Sequence, residues 1–143
     1  MFKGLLDKEL FGDYYEILSQ LSFRQNRGML QGFIDLVFMH DGRFYILDWK
    51  SNHLGMKTSD YIHSAMQESM CQSAYILQYH IYALALDCLL KKRLPNYSYE
   101  KHFGGAIYIY LRGVSASSGF NGIYFVRPQS EFVRRANELM LES

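Results

Sequence analysis

The sequence predicts an α/β protein, a mixed β-sheet covered by helices, and three observations carry that reading. Two strand-like runs, roughly Leu30–Met39 and Arg43–Lys50, are rich in Ile, Leu, Val, Phe and Tyr and meet at His40-Asp41-Gly42-Arg43, a strong hairpin signal. Two further apolar runs, Gly105 to Arg112 and Gly122 to Arg127, read as buried strands late in the chain. Between and around them lie segments of helical length and period. The resulting order of helix, hairpin, helices, two strands and helix is that of an α/β sandwich. At 143 residues and 49% hydrophobic content, the chain fits one domain spanning 1–143 with a sizeable core.

Taken in order, Leu5 to Leu21 reads as an amphipathic helix with a break near Gly12. Ser22 to Gly28 is polar and basic and loops into the first strand. After the hairpin, Ser51 to Lys57 forms a loop, and Ser59 or Asp60 caps a helix reaching about Cys71. Ser73 to Lys92 is apolar nearly all round, as expected of a helix buried on more than one side. Lys91, Lys92 and Arg93 at its end complement the helix dipole, a role preferred here to DNA binding, and Leu94-Pro95-Asn96 stops it. After Pro128 a terminal helix places Phe132, Val133, Ala136, Leu139 and Met140 on one face.

Composition excludes several classes. A formal net charge of +1 gives no global basic field, so contact with nucleic acid depends on a local patch. Arg24, Arg27, Arg112, Arg134 and Arg135 are candidates, although for any one of them a solvated face is the simpler reading. Cys71 and Cys88 lack metal-ligand spacing and read as small buried hydrophobes in a reducing compartment rather than a disulfide. The histidines His53, His63, His80 and His102 show no ligand spacing either. No Walker A loop is present, so this chain hydrolyses no ATP. No secretory pattern opens the chain, and its longest charge-free apolar stretch is too short to cross a bilayer. The expected location is cytoplasmic, with no membrane contact.

Chemistry concentrates on the hairpin. If Asp41 and Gly42 form a two-residue turn, Asp35 lies opposite Asp48, and cross-strand partners sit about 5 Å apart at Cβ. By strand alternation Asp48 and Lys50 share that face. Like charges so placed repel, and a cation between them offsets the cost. The bland reading is a solvated Asp35 and an ordinary Lys50 ion pair. The sharper one is a metal site for phosphodiester hydrolysis. There a divalent cation such as Mg²⁺ screens the phosphate and activates water, held by Asp35, Asp48 and the Trp49 carbonyl. Lys50 then adds positive charge where the transition state needs it. Gln78 and Tyr82 share a helix face with Tyr75. On spacing alone, Gln78 is more simply a buried amide satisfying a backbone group than a substrate contact.

The runs Gly32-Phe33-Ile34-Asp35, Leu47-Asp48-Trp49-Lys50-Ser51-Asn52 and Gln78-Tyr79-x-x-Tyr82 resemble the RecB-type nucleases of the PD-(D/E)XK superfamily. The likeness extends through Met29 to Phe38 and from His102-Phe103-Gly104-Gly105 to Leu111-Arg112-Gly113, covering about Gly12 to Arg127. It implies a restriction-endonuclease-like α/β/α core and a Mg²⁺-dependent nuclease. Asp35, Asp48 and Lys50 would be catalytic, with metal on Asp35, Asp48 and the Trp49 carbonyl. Gln78 and Tyr82, matching the family's Q-x-x-x-Y motif, would serve the active site and DNA. It further implies linear DNA as substrate, recombinational repair as setting, and as partners the other subunits of a RecBCD-type complex, an upstream helicase region and a recombinase.

One departure stands out. The family usually draws a further ligand, often His, from a helical region upstream of the first Asp, whereas the first histidine here is His40. Glu9, Asp13 and Glu16 are the available substitutes. The expectation is therefore a C-terminal fragment of a larger helicase-nuclease subunit that binds Mg²⁺ weakly and cuts DNA poorly alone. Two competitors remain: a catalytically weak module that docks the helicase body or a recombinase, and an unrelated metal-binding α/β domain.

Overall fold

The structure is a computed structural model that describes residues 32–141. The expected Leu5–Leu21 helix, the basic loop with Arg24 and Arg27, the first residues of the Leu30 strand, and Glu9, Asp13 and Glu16 lie outside the described residues. The elements are β1 (Leu36–His40), β2 (Arg43–Lys50), a 3₁₀ turn (Thr58–Asp60), α1 (His63–Gln72), α2 (Tyr75–Arg93), α3 (Tyr99–His102), β3 (Phe103–Tyr110), β4 (Ile123–Val126) and α4 (Ser130–Leu141). The strands form one mixed sheet in the order β1-β2-β3-β4. The pair β2–β3 is parallel and the two outer pairs are antiparallel.

The hairpin is built by its turn. Asp41 and Gly42 both take positive φ, 48° and 74°, the requirement of a type I′ turn whose twist matches the flanking strands. The register follows: His40 pairs with Arg43 and Leu36 with Leu47, as expected from the sequence. β1 starts later than Leu30, however. Asp35 is a bend, and its carboxylate takes the Trp49 N–H at 2.9 Å, so pairing of backbone to backbone stops at Leu36.

β3 also starts earlier than expected. Phe44 pairs with Phe103 and Tyr45 with Gly105, leaving Gly104 as the extra residue of a bulge. Gly105 has φ 146°, and a Cβ there would lie 2.5 Å from the Phe125 ring, so the position demands glycine.

α1 and α2 lie on the sheet face that carries Ile46, Asp48, Lys50, Tyr108 and Tyr110. His63 of α1 stacks on Tyr124, and Tyr75 and Tyr79 of α2 pack on Tyr108. α4 packs on α2 through buried Phe132, Val133 and Ala136, so α2 is covered on several sides, as its apolar character predicts. α1 begins after Ile62, beyond Ser59 and Asp60. The Asp60 carboxylate instead accepts from Lys57 N–H at 2.9 Å and closes the 3₁₀ turn. At the far end of α2, Lys91 pairs with fully buried Asp87 at 2.7 Å, which fixes the basic run as structural at that residue. Cys71 and Cys88 are free, half-buried thiols. No helix among the described residues is long and apolar enough to cross a membrane.

One core residue makes stability depend on pH. His80 is 6% exposed between Tyr79 and Phe132, and its Nδ1–H donates to the Ile76 carbonyl at 2.7 Å. Burial lowers its pKa from 6.5 to about 4. Below pH 6.5 the unfolded chain takes up a proton that the folded chain refuses, so stability falls with pH until about 4. The slope is about 1.4 kcal/mol per pH unit over that window. Urea unfolding at stepped pH is expected to show this decline, and His80→Phe is expected to flatten it.

Candidate active site

The site forms where the C-terminal end of β2 meets the first half of α2. Strand alternation turns Asp48 and Lys50 inward, and both are buried, at 4% and 6% exposure. Lys50 Nζ lies 2.6 Å from Asp48 Oδ2 and donates to Gln78 Oε1 at 3.0 Å. The same ammonium sits over the Tyr75 ring, 3.6 Å from its centroid, with Tyr108 at 5.1 Å. A buried lysine is costly without such partners. Here a carboxylate, an amide oxygen and two ring faces supply them.

Gln78 works as a fork. Its Oε1 accepts from Lys50 and from the Tyr108 hydroxyl at 3.4 Å, while its Nε2 donates to Tyr82 Oη at 3.1 Å. Tyr82 Oη donates in turn to the Phe33 carbonyl at 2.6 Å, two residues before Asp35. One turn of α2 thus holds both the lysine and the segment that carries the first acid. Burial, reinforced by the Asp48 charge, pushes the Tyr108 hydroxyl far above its usual pKa, so it remains a donor to Gln78. The expectation that Gln78 satisfies a backbone group is corrected: its partners are side chains, drawn to it because Lys50 is inward on β2.

Asp35 is exposed at the rim and accepts from the Trp49 amide through Oδ2. Lys50 O accepts from Leu111 N on the β3 side at 3.0 Å. Alternation therefore turns the N–H and C=O of Trp49 toward β1, the side of Asp35. Asp35 thus bonds the backbone of the residue that follows Asp48, on the strand edge that also carries the Trp49 carbonyl.

A profile of the PD-(D/E)XK nuclease superfamily matches residues 6–140. The chain belongs to this superfamily. It is 50% identical to RecBCD enzyme subunit RecB of Escherichia coli (strain K12) over 119 residues, 83% of this chain and 10% of that protein. The subunit of the same name from Haemophilus influenzae (strain ATCC 51907 / DSM 11121 / KW20 / Rd) is 42% identical over 113 residues, 79% of this chain and 9% of that protein. That from Borreliella burgdorferi (strain ATCC 35210 / DSM 4680 / CIP 102532 / B31) is 35% identical over 128 residues. The chain spans about a tenth of the length of these relatives. The mixed sheet flanked by helices is the restriction-endonuclease-like α/β fold of the PD-(D/E)XK superfamily.

PD-(D/E)XK nucleases generally depend on divalent metal, and the donor set of this PD-(D/E)XK chain suits such an ion. It consists of hard oxygens, the preference of Mg²⁺ and its like. Two carboxylates against one ammonium leave a net negative charge that an added cation offsets. Among the described residues no group of three or more His, Cys, Asp or Glu is placed to hold a metal.

Other sequence candidates separate from the site. Arg134 is engaged by Glu131 at 2.5 Å and Glu138 at 2.6 Å on the outer face of α4. Arg112 is closer, donating to the Ser51 carbonyl just after Lys50. Two residues joined the site without being singled out. Tyr108 pairs with Asp48 in the parallel ladder, a non-local pairing with no local signal. Asn52, whose Oδ1 accepts from Tyr75 Oη at 3.2 Å, follows Lys50 by two residues, and proximity to the lysine was the available clue.

Proposed function

We propose that this chain is the metal-dependent deoxyribonuclease domain of a RecBCD-type helicase-nuclease, hydrolysing phosphodiester bonds of linear DNA in recombinational repair. The observation that carries the reading is the buried Lys50 ammonium, set between Asp48 and Gln78 in a superfamily whose chemistry is nuclease. Asp35, Asp48 and the Trp49 carbonyl would hold Mg²⁺, which when bound screens the phosphate and lowers the pKa of the attacking water.

The protein's own groups supply the rest. Lys50 donates to an anionic phosphate oxygen as water attacks phosphorus and one P–O ester bond breaks in line. Its charge acts most on the transition state, where negative charge is greatest. Gln78, Tyr75 and Tyr108 keep the ammonium from wandering, which lowers the reorganisation needed during reaction. Tyr82 holds the approach to Asp35 through the Phe33 carbonyl. DNA is the substrate, and the partners are the other subunits of a RecBCD-type complex, the upstream helicase region and a recombinase.

Calorimetric titration with Mg²⁺, run beside digestion of linear DNA, tests the assignment. Weak binding that disappears in Asp48→Ala is expected, together with cleavage that chelation abolishes. Cleavage unaffected by chelation, or an Asp48→Ala titration matching the unmodified chain, would overturn it.

A further inference from the structure

Beside the site lies a cavity of about 390 Å³, lined by Asn52, His53 and Leu54 on the loop after β2 and by Glu68, Ser69 and Gln72 of α1, with Ala65 and Ser73. It is joined to the reacting end through Asn52, which hydrogen-bonds the tyrosine whose ring lies against Lys50 Nζ. The lining selects among ligands. No lysine or arginine lines it and Glu68 does, so a phosphate group is repelled.

The hydrogen-bonding groups left over form a pattern. Gln72 Nε2 donates to Glu68 Oε1 at 3.0 Å, so the Gln72 oxygen and the second Glu68 oxygen remain as acceptors. Asn52 Oδ1 accepts from Tyr75, so its Nδ2 remains as a donor. Acceptors beside a donor complement a nucleobase edge bearing an exocyclic amine next to an acceptor, and Glu, Gln and Asn side chains are those that read such edges. Leu54 and Ala65 offer apolar surface, and His53 offers a ring for stacking.

We propose that this cavity binds an unstacked, amine-bearing nucleobase of the DNA strand being cut, next to the reacting phosphate. The proposal rests on the nuclease reading for its setting. It makes Asn52, Glu68 and Gln72 determinants of base preference, with cytosine favoured over uracil or thymine, which present a carbonyl where cytosine presents its amine.

Fluorescence anisotropy of the full chain with labelled single-stranded oligomers of deoxycytidine and of deoxyuridine, without divalent metal, reads this directly. The two differ at the discriminating position and are alike in charge and size. Tighter binding of the cytosine oligomer, by about fivefold or more, is expected from one base-edge contact. The preference is expected to vanish in Glu68→Ala/Gln72→Ala, whose sites are exposed helix positions, and to shrink in Asn52→Ala. Equal affinity for the two oligomers, or a preference that survives the double variant, overturns the proposal. The same samples given Mg²⁺ separate the two readings. A base preference without any cleavage supports the cavity and counts against the nuclease assignment, whereas cleavage without a base preference does the reverse.

Discussion

Lys50→Met is expected to lower the rate of DNA hydrolysis by about a hundredfold to a thousandfold, the scale set by removing one preorganised charge donor from a water-poor site. Methionine keeps much of the stem length and removes only the ammonium. The assay is initial cleavage of linear DNA in Mg²⁺ buffer, with DNA binding measured alongside. If Lys50 acts on charge that develops during reaction, as proposed, the loss belongs in the turnover rate, while binding changes little. A variant that cuts within tenfold of the unmodified chain would remove the lysine from the chemistry and leave it a counter-ion of Asp48.

The second large effect is on stability and separates the pair from its function. Asp48 and Lys50 are 2.6 Å apart with side chains only 6% and 7% exposed. Removing either partner leaves a buried charge without its counter-ion, at a cost of about 3–5 kcal/mol. Asp48→Leu and Lys50→Met, each alone, are expected to lose that much in urea unfolding. The double variant, with both charges gone, is expected to recover most of it, because well-packed apolar groups replace a buried ion pair at little cost. It should nonetheless stay inactive. Such an outcome would show that the pair exists for chemistry and that the fold alone has no need of it. If each single change costs under 1 kcal/mol, the pair is better solvated than its burial implies, and the account of a desolvated ammonium fails.

The parts of this arrangement that were legible in the sequence are those set by local chemistry. Asp41-Gly42 fixes a turn, the turn fixes the register, and the register sets Asp35 beside the Asp48 strand. The terminal helix announces its buried face through Phe132, Val133 and Ala136 in the same way. The remainder depends on distant pairings. Nothing near Tyr108 marks it as the neighbour of Asp48, because a parallel pair is joined only through the long crossover that contains α1 and α2. Gly104-Gly105 suggests a boundary, yet the strand runs through it, since the bulge admits the Tyr45 and Phe125 rings over the missing side chains. Asp60 has the chemistry of a helix cap and spends it on a tighter turn. The partners of Gln78 were unreadable for a similar reason: periodicity gives the face of a helix but not the strand it will meet.

Gln78 and Tyr82 sit one turn apart on a single helix, one gripping the ammonium and the other the segment ahead of the first acid. Distances within the candidate site are thereby gauged by a rod with a fixed pitch, itself clamped by the terminal helix behind it. Flexing of the exposed rim need not blur them. The machinery inherits the stiffness of its most deeply embedded element even though half of its acids stand at the water's edge.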